Sequence, residues 1–173
     1  MTIANIDHQI NEEIREMDLR SVSEIIHRGG TVLYTARCLE FKELEYQQKA
    51  AEICRKHGID GVVVCGGDGS FRGAQKLSHQ GINCIGIPCT IDNDIGCCEY
   101  TIGYDTATNT VVDMVDKLRD TSASHDRCSV IEVMGRHAGW LTAAAGISRV
   151  VNGVAPDLIQ TGDGQDPAVL VGF

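Results

Sequence analysis

Apolar positions along this chain fall into two alternating kinds of run. Val62-Val63-Val64-Cys65 is a short β-branched stretch that stops at Gly66-Gly67-Asp68-Gly69-Ser70. The segment after it sets Phe71, Ala74 and Leu77 at helical spacing. The pattern predicts a strand over 61–65, a glycine turn and a helix over 70–79. A second apolar run over 82–87 predicts another strand, and Ser129 to Met134 a third. Glu43 to His57 reads as a helix closed by Gly58. A long helix capped by Asp105 sets Ala107, Val111, Met114, Val115 and Leu118 on one face, and Trp140 to Ile147 forms another helix. Further upstream, Ser21 to Glu24 is a Ser-x-x-Glu capping box, so a short helix is expected there, ended by Gly29-Gly30. Thr31 to Tyr34 reads as a strand. Alternation of this kind predicts an α/β fold, a mostly parallel sheet with helices on both faces. Residues 1–16 and about 152–173 lack such a pattern and are expected to be disordered, and there is no internal repeat.

The chemistry concentrates where predicted strands end. Glycines after Cys65 let backbone N–H groups approach a phosphate without a Cβ in the way, and a helix N-terminus favours the negative charge. Asp68 would repel a bare phosphate, and a divalent cation between carboxylate and polyphosphate resolves the conflict; hard oxygen ligands suit Mg²⁺. No Gly-Lys-Ser/Thr follows, and the glycine spacing is not that of a dinucleotide fingerprint. Such a turn can also serve only to join strand to helix. The second loop, Pro88-Cys89-Thr90-Ile91-Asp92-Asn93-Asp94, argues for chemistry, because strand C-terminal ends line the ligand crevice of open α/β sheets. A carboxylate of that loop can take a proton from a substrate hydroxyl. Taken by itself, the Asp92/Asp94 pair could equally cap a surface turn.

Composition narrows the field. With 173 residues the chain has the length of one domain, and its net charge of −9 argues against a nucleic-acid surface. An anionic substrate on such a chain requires a metal or focused arginines, and Arg37, Arg127 and Arg136 are candidates. No apolar run reaches membrane-spanning length and the first residues have no signal-peptide pattern, so a cytoplasmic protein with no membrane partner is expected. Cys65, Cys84 and Cys128, three of eight cysteines, lie in or beside apolar strands and read as small core residues. Reduced thiols are favoured over structural zinc, since no C-x₂-C pair occurs.

These loops, with motifs around them, resemble the ATP-dependent 6-phosphofructokinase family of the bacterial type. The matching pieces run from Ser21-Val22-Ser23-Glu24 and Arg28-Gly29-Gly30-Thr31 through Thr35-Ala36-Arg37 and the two strand-end loops. They continue with Tyr100-Thr101-Ile102-Gly103-Tyr104, Leu118-Arg119-Asp120-Thr121, Ser124-His125-Asp126-Arg127 and Glu132-Val133-Met134-Gly135-Arg136. The resemblance covers residues 17–148, leaving 1–16 unmatched and 149–173 a divergent tail expected to be disordered. It implies an incomplete phosphofructokinase-like nucleotide-binding domain and transfer of the ATP γ-phosphoryl group to the 1-hydroxyl of fructose 6-phosphate, a glycolytic step. The alternatives are a non-catalytic nucleotide-binding fragment, or a diphosphate-dependent or other small-molecule kinase of the same superfamily.

By position the resemblance makes Asp92 the catalytic base. Thr90, Ile91, Arg127, Met134, Gly135 and Arg136 join Asp92 in binding the sugar phosphate, Arg127 from a neighbouring subunit of a homotetramer. It gives Arg37, Cys38, Gly67, Asp68, Gly69 and Ser70 to Mg²⁺–ATP, with Asp68 the metal residue, and Arg119 to an ADP or phosphoenolpyruvate-type effector. Cys89 departs from the pattern: the position is usually glycine in the ATP enzymes and lysine in diphosphate-dependent relatives. The family's first glycine loop and C-terminal half have no counterpart here, so a truncated form is expected, without activity by itself.

Overall fold

In the computed structural model the described residues are 2–3, 14–135, 138–151, 158–160 and 168–171. They divide into two compact units, residues 1–64 with 69–87 and residues 65–68 with 88–173. No helix among them is long and apolar enough to cross a membrane.

The first unit holds β1 (Thr2–Ile3), β2 (Ile14–Arg15), a 3-10 turn at Glu40–Lys42 and α1 (Leu44–Lys56). It also holds most of β3 (Gly61–Gly66), α2 (Asp68–His79) and β4 (Asn83–Pro88). Strands β3 and β4 are hydrogen-bonded neighbours. Asp60 meets Asn83 at one end of the pair and Gly66 meets Cys89 at the other, so the two strands run parallel. α1 buries Ala50, Ala51, Ile53 and Cys54 on one face, and Phe41, Leu77 and Ile82 complete that core. Gln47, 7% exposed, satisfies its amide by donating to the carbonyls of Phe41 (3.0 Å) and Lys42 (3.1 Å).

Helices α1 and α2 end in the same way. Gly58 (φ 64°) follows α1; its N–H donates to Arg55 O, and the Ile59 N–H donates to Cys54 O. Gly81 (φ 85°) follows α2, with Gly81 N–H to Ser78 O and Ile82 N–H to Leu77 O. Both are Schellman closures, in which a left-handed glycine satisfies the last carbonyls and the next apolar residue turns back to the core.

The second unit contains α3 (Tyr104–Ser124), β5 (Val130–Val133), α4 (Trp140–Val151), β6 (Leu158–Gln160) and β7 (Ala168–Val171). Tyr104, Val115, Val133 and Leu141 form its core, with Ile91, Ala107, Val111, Ile131 and Ala144 packed against them. Val115 is 1% exposed.

Several expectations need correction. Ser21 starts no helix: Asp18 Oδ1 accepts from the Ser21 N–H and hydroxyl (both 2.8 Å), and Glu24 turns to φ 59°. Val22 and Ile26 are exposed there, so no apolar face is buried that would stabilise one. Thr31–Tyr34 forms a turn, with the Tyr34 N–H donating to Thr31 O. Asp105 lies in the first turn of α3, but the N-cap is Gly103 at φ 100°, a conformation that glycine reaches without strain. Cys65 and Cys128 are exposed and Cys84 half-buried, while Cys54 is the fully buried thiol. In the tail expected to be disordered, β7 pairs antiparallel with both β5 and β6. The apolar runs Leu158-Ile159 and Ala168-Val169-Leu170-Val171 have the strand propensity for it.

Candidate functional site

Residues 65–68 and 88–103 of the second unit bring the two strand-end loops together. Cys89 leaves β4 with its N–H donating to Gly66 O (2.9 Å), and on its other side bridges Ile102 in parallel. The Ile102 N–H donates to Pro88 O (2.9 Å). The root of the acidic loop is therefore fixed by backbone on both sides. Beyond it, Thr90 lies against Gly67: a Cβ added to Gly67 would sit 3.3 Å from the Thr90 Cβ. A side chain there would press on Thr90 unless that residue gave way by a few tenths of an ångström. Asp68 opens α2, where a helix dipole favours an anion.

A polar clamp holds the Asp92 segment in shape. The Asp92 N–H donates to Thr90 Oγ1 (3.2 Å). Asn93 sits at φ 49°; its Nδ2 donates to Glu99 O (3.1 Å) and its Oδ1 accepts from the Thr101 N–H (3.0 Å). The Thr101 hydroxyl donates to Thr90 O (2.7 Å), and Thr101 is 5% exposed. Asparagine is among the few side chains that tolerate this left-handed backbone. The carboxylates of Asp92 and Asp94 consequently flank a residue locked by its own side chain. Thr101 and Asn93 had no role in the sequence-based assignment. The signal was present in Tyr100-Thr101-Ile102-Gly103-Tyr104, a matched motif with no chemistry of its own.

Next to this loop lies an apolar cleft of about 640 Å³. Ile91, Ile102, Val111, Met114, Val133 and Met134 are among its lining residues. Two expected substrate-binding residues, Ile91 and Met134, thus share one cleft. Gly135 follows Met134, and Arg136 lies outside the described residues. Arg127 is exposed, its N–H donating to Ser122 O (3.0 Å) in the turn that closes α3, where Asp126 takes the left-handed position (φ 50°). Arg119 pairs with Asp120 at 3.6 Å. α3 continues to Ser124, so Arg119 lies more than one turn from the helix end. The remaining candidates belong to the first unit. Arg37, Gly69 and Ser70 are exposed there, and Cys38 is half-buried against the core.

Burial, and then the neighbouring Cys65, push the Cys89 thiol above its ordinary range. Burial likewise raises Tyr104, whose hydroxyl donates to Trp140 O (3.2 Å). Among the described residues no group of three or more His, Cys, Asp or Glu could hold a metal. Asp68 offers a single hard carboxylate beside a glycine turn, a donor set that fits Mg²⁺ carried by a polyphosphate rather than an all-protein cage.

Comparison with known proteins gives a consistent picture. The phosphofructokinase family model matches residues 4–156, a wider span than the 17–148 expected from motifs. The ATP-dependent 6-phosphofructokinase of Shouchella clausii is 63% identical over 139 residues, 80% of this chain and 44% of its own. That of Halalkalibacterium halodurans is 60% identical over the same shares. Among solved structures, the phosphofructokinase of Saccharomyces cerevisiae aligns with a TM-score of 0.73 at 30% identity, covering 84% of this chain and 23% of that one. The Pichia pastoris phosphofructokinase aligns with a TM-score of 0.70 at 28% identity, covering 84% of this chain and 18% of that one. This chain spans less than half the length of the curated relatives it matches.

Proposed function

The chain belongs to the phosphofructokinase family, and on that premise we propose that it supplies the catalytic loops for transfer of the ATP γ-phosphoryl group to the 1-hydroxyl of fructose 6-phosphate. The observation that carries this reading is the contact of Gly67 with Thr90, which sets the candidate phosphate turn beside the Asp92 loop. Phosphoryl transfer needs positioning and charge neutralisation more than covalent chemistry by the protein. Asp92 accepts the proton of the 1-hydroxyl as that oxygen attacks the γ-phosphorus, and the phosphoryl group leaves ADP behind. Thr90 and the Asn93–Thr101 clamp hold the carboxylate's backbone still through this step. Ile91 and Met134 offer apolar surface to the carbon skeleton of the sugar. Bound with ATP at Asp68, Mg²⁺ would neutralise charge on the transferring phosphates.

The same reading gives Arg37, Gly69 and Ser70 to the nucleotide, and Arg127 and Arg136 to the sugar phosphate. Arg119 would serve an ADP or phosphoenolpyruvate-type effector within a cytoplasmic homotetramer. ATP is preferred to diphosphate as donor because Cys89 carries no cation. The test is a coupled assay on a chimera that completes this sequence with the remaining part of a curated relative. Asp92→Ser should lower kcat by about 10²–10⁴-fold with a smaller effect on KM. A kcat within about threefold of the unsubstituted chimera would refute the assignment of the base.

A further inference from the structure

The Cys89 thiol takes no part in the proposed phosphoryl transfer, and it is placed where chemistry is concentrated. The Gly66 carbonyl accepts from its N–H, which in a parallel register sets Cys89 opposite Gly67. Cys65 lies two residues before Gly67 and so shares its face, one diagonal step from Cys89. Cys65 is near enough to Cys89 to help raise its thiol above the ordinary range. Cys65 is exposed and Cys89 half-buried, and neither is in a disulfide. Each immediately precedes a functional loop: Cys65 the Gly66–Asp68 turn, Cys89 the Thr90–Asp92 segment. The bond from the Cys89 N–H to Gly66 O, with the Ile102 N–H donating to Pro88 O, keeps the pair in register.

We propose that Cys65 and Cys89 form a thiol–disulfide exchange site that takes a low-molecular-weight disulfide and closes a reversible bridge across the roots of the two loops. The exposed Cys65 sulfur, as thiolate, attacks one sulfur of the incoming disulfide RSSR and expels one thiolate RS⁻. Cys89 then gives up its proton, and its sulfur attacks the Cys65 sulfur of the mixed disulfide, releasing the second RS⁻. The two protein thiols are oxidised, one RSSR is reduced to two RSH, and dithiol reductants reverse the sequence. Cys65 is the exposed thiol and so the entry point, and the half-buried Cys89 is the resolving partner. The bridge draws Cys65 and Cys89 to disulfide distance and shifts Gly67 relative to Thr90, where an added Cβ would meet the Thr90 side chain. Resting on the function proposed above, the consequence is a nucleotide site that weakens when the chain is oxidised.

The reduced 173-residue chain is incubated with glutathione disulfide, and its remaining thiols are then alkylated. Digestion combines trypsin with a protease cutting before aspartate, which cleaves at Asp92 and Asp94 and separates Cys89 from Cys97 and Cys98. The expected product is a linked peptide, lost on adding dithiothreitol, whose fragment ions place the bridge on Cys65 and Cys89 and the alkyl group on Cys84, which stays in the Cys89 peptide. In Cys89→Ser the glutathione adduct should instead accumulate on Cys65. A persistent adduct on Cys65 in the unsubstituted chain, or a bridge from Cys65 to Cys97 or Cys98, would overturn the proposal. Mg²⁺–ATP affinity is measured on both redox forms by equilibrium dialysis. A fall of at least about fivefold on bridging supports the linkage, and equal affinity overturns it. Absence of binding in the reduced form counts against the proposed function alone, because the peptide map still judges the bridge.

Discussion

Replacing Thr101 with valine isolates the clamp that shapes the Asp92 loop. The two side chains have nearly the same volume, so the 5% exposed site neither empties nor overfills. The hydroxyl that donates to Thr90 O at 2.7 Å is removed, while the Thr101 N–H still donates to Asn93 Oδ1 at 3.0 Å. A partly buried carbonyl that loses its donor costs about 1–2 kcal/mol, the lower part of the range for an unsatisfied buried group. For a chain of this size that lowers Tm by roughly 2–8 °C. Calorimetry gives the global change. Amide hydrogen exchange localises it: the Asp92 N–H, bonded to Thr90 Oγ1, should lose protection more than amides of α1 in the first unit. Thr101→Ser, which keeps the hydroxyl, should retain most of that protection. A Thr101→Val protein that melts within about 1 °C of the parent, with unchanged exchange at Asp92, would refute the clamp.

Two more outcomes follow from the second unit's core. Val115→Ala, at a side chain 1% exposed, should cost about 2 kcal/mol from lost burial and the cavity left behind, read by urea unfolding. Tyr104 favours its neutral form in the fold, because burial raises its pKa above the ordinary value of 10.0. Its contribution is therefore complete below about pH 10 and is lost as pH rises through the higher folded value. Tyr104→Phe should flatten the alkaline decline of Tm relative to the parent; identical pH profiles would contradict the assignment.

The sequence alone was enough for the periodic elements and for the two acidic loops. α1, α2 and α4, and strands β3, β4 and β5, lie within a few residues of where apolar spacing and glycine stops put them. Each encodes its own boundary, as Gly58 and Gly81 do by taking the left-handed position that ends a helix. The junction at Gly67 and Asp68 was legible for the same reason: a strand, a glycine turn and a helix are local features. Long-range contact decided the remainder. The Ser21–Glu24 box had the right letters, yet Asp18 captured Ser21 and no apolar face was buried to stabilise a helix. The strand at Ala168–Val171 exists through its pairing with β5, from which it is far removed in sequence. Asn93 and Thr101 became a clamp because the chain returns to Pro88 and Thr90 after the loop. Cys65 and Cys89 became neighbours because β3 and β4 run parallel in a particular register. Spacing along a chain reports on periodicity, whereas which side chains share a face of neighbouring strands depends on pairing that only the folded state sets.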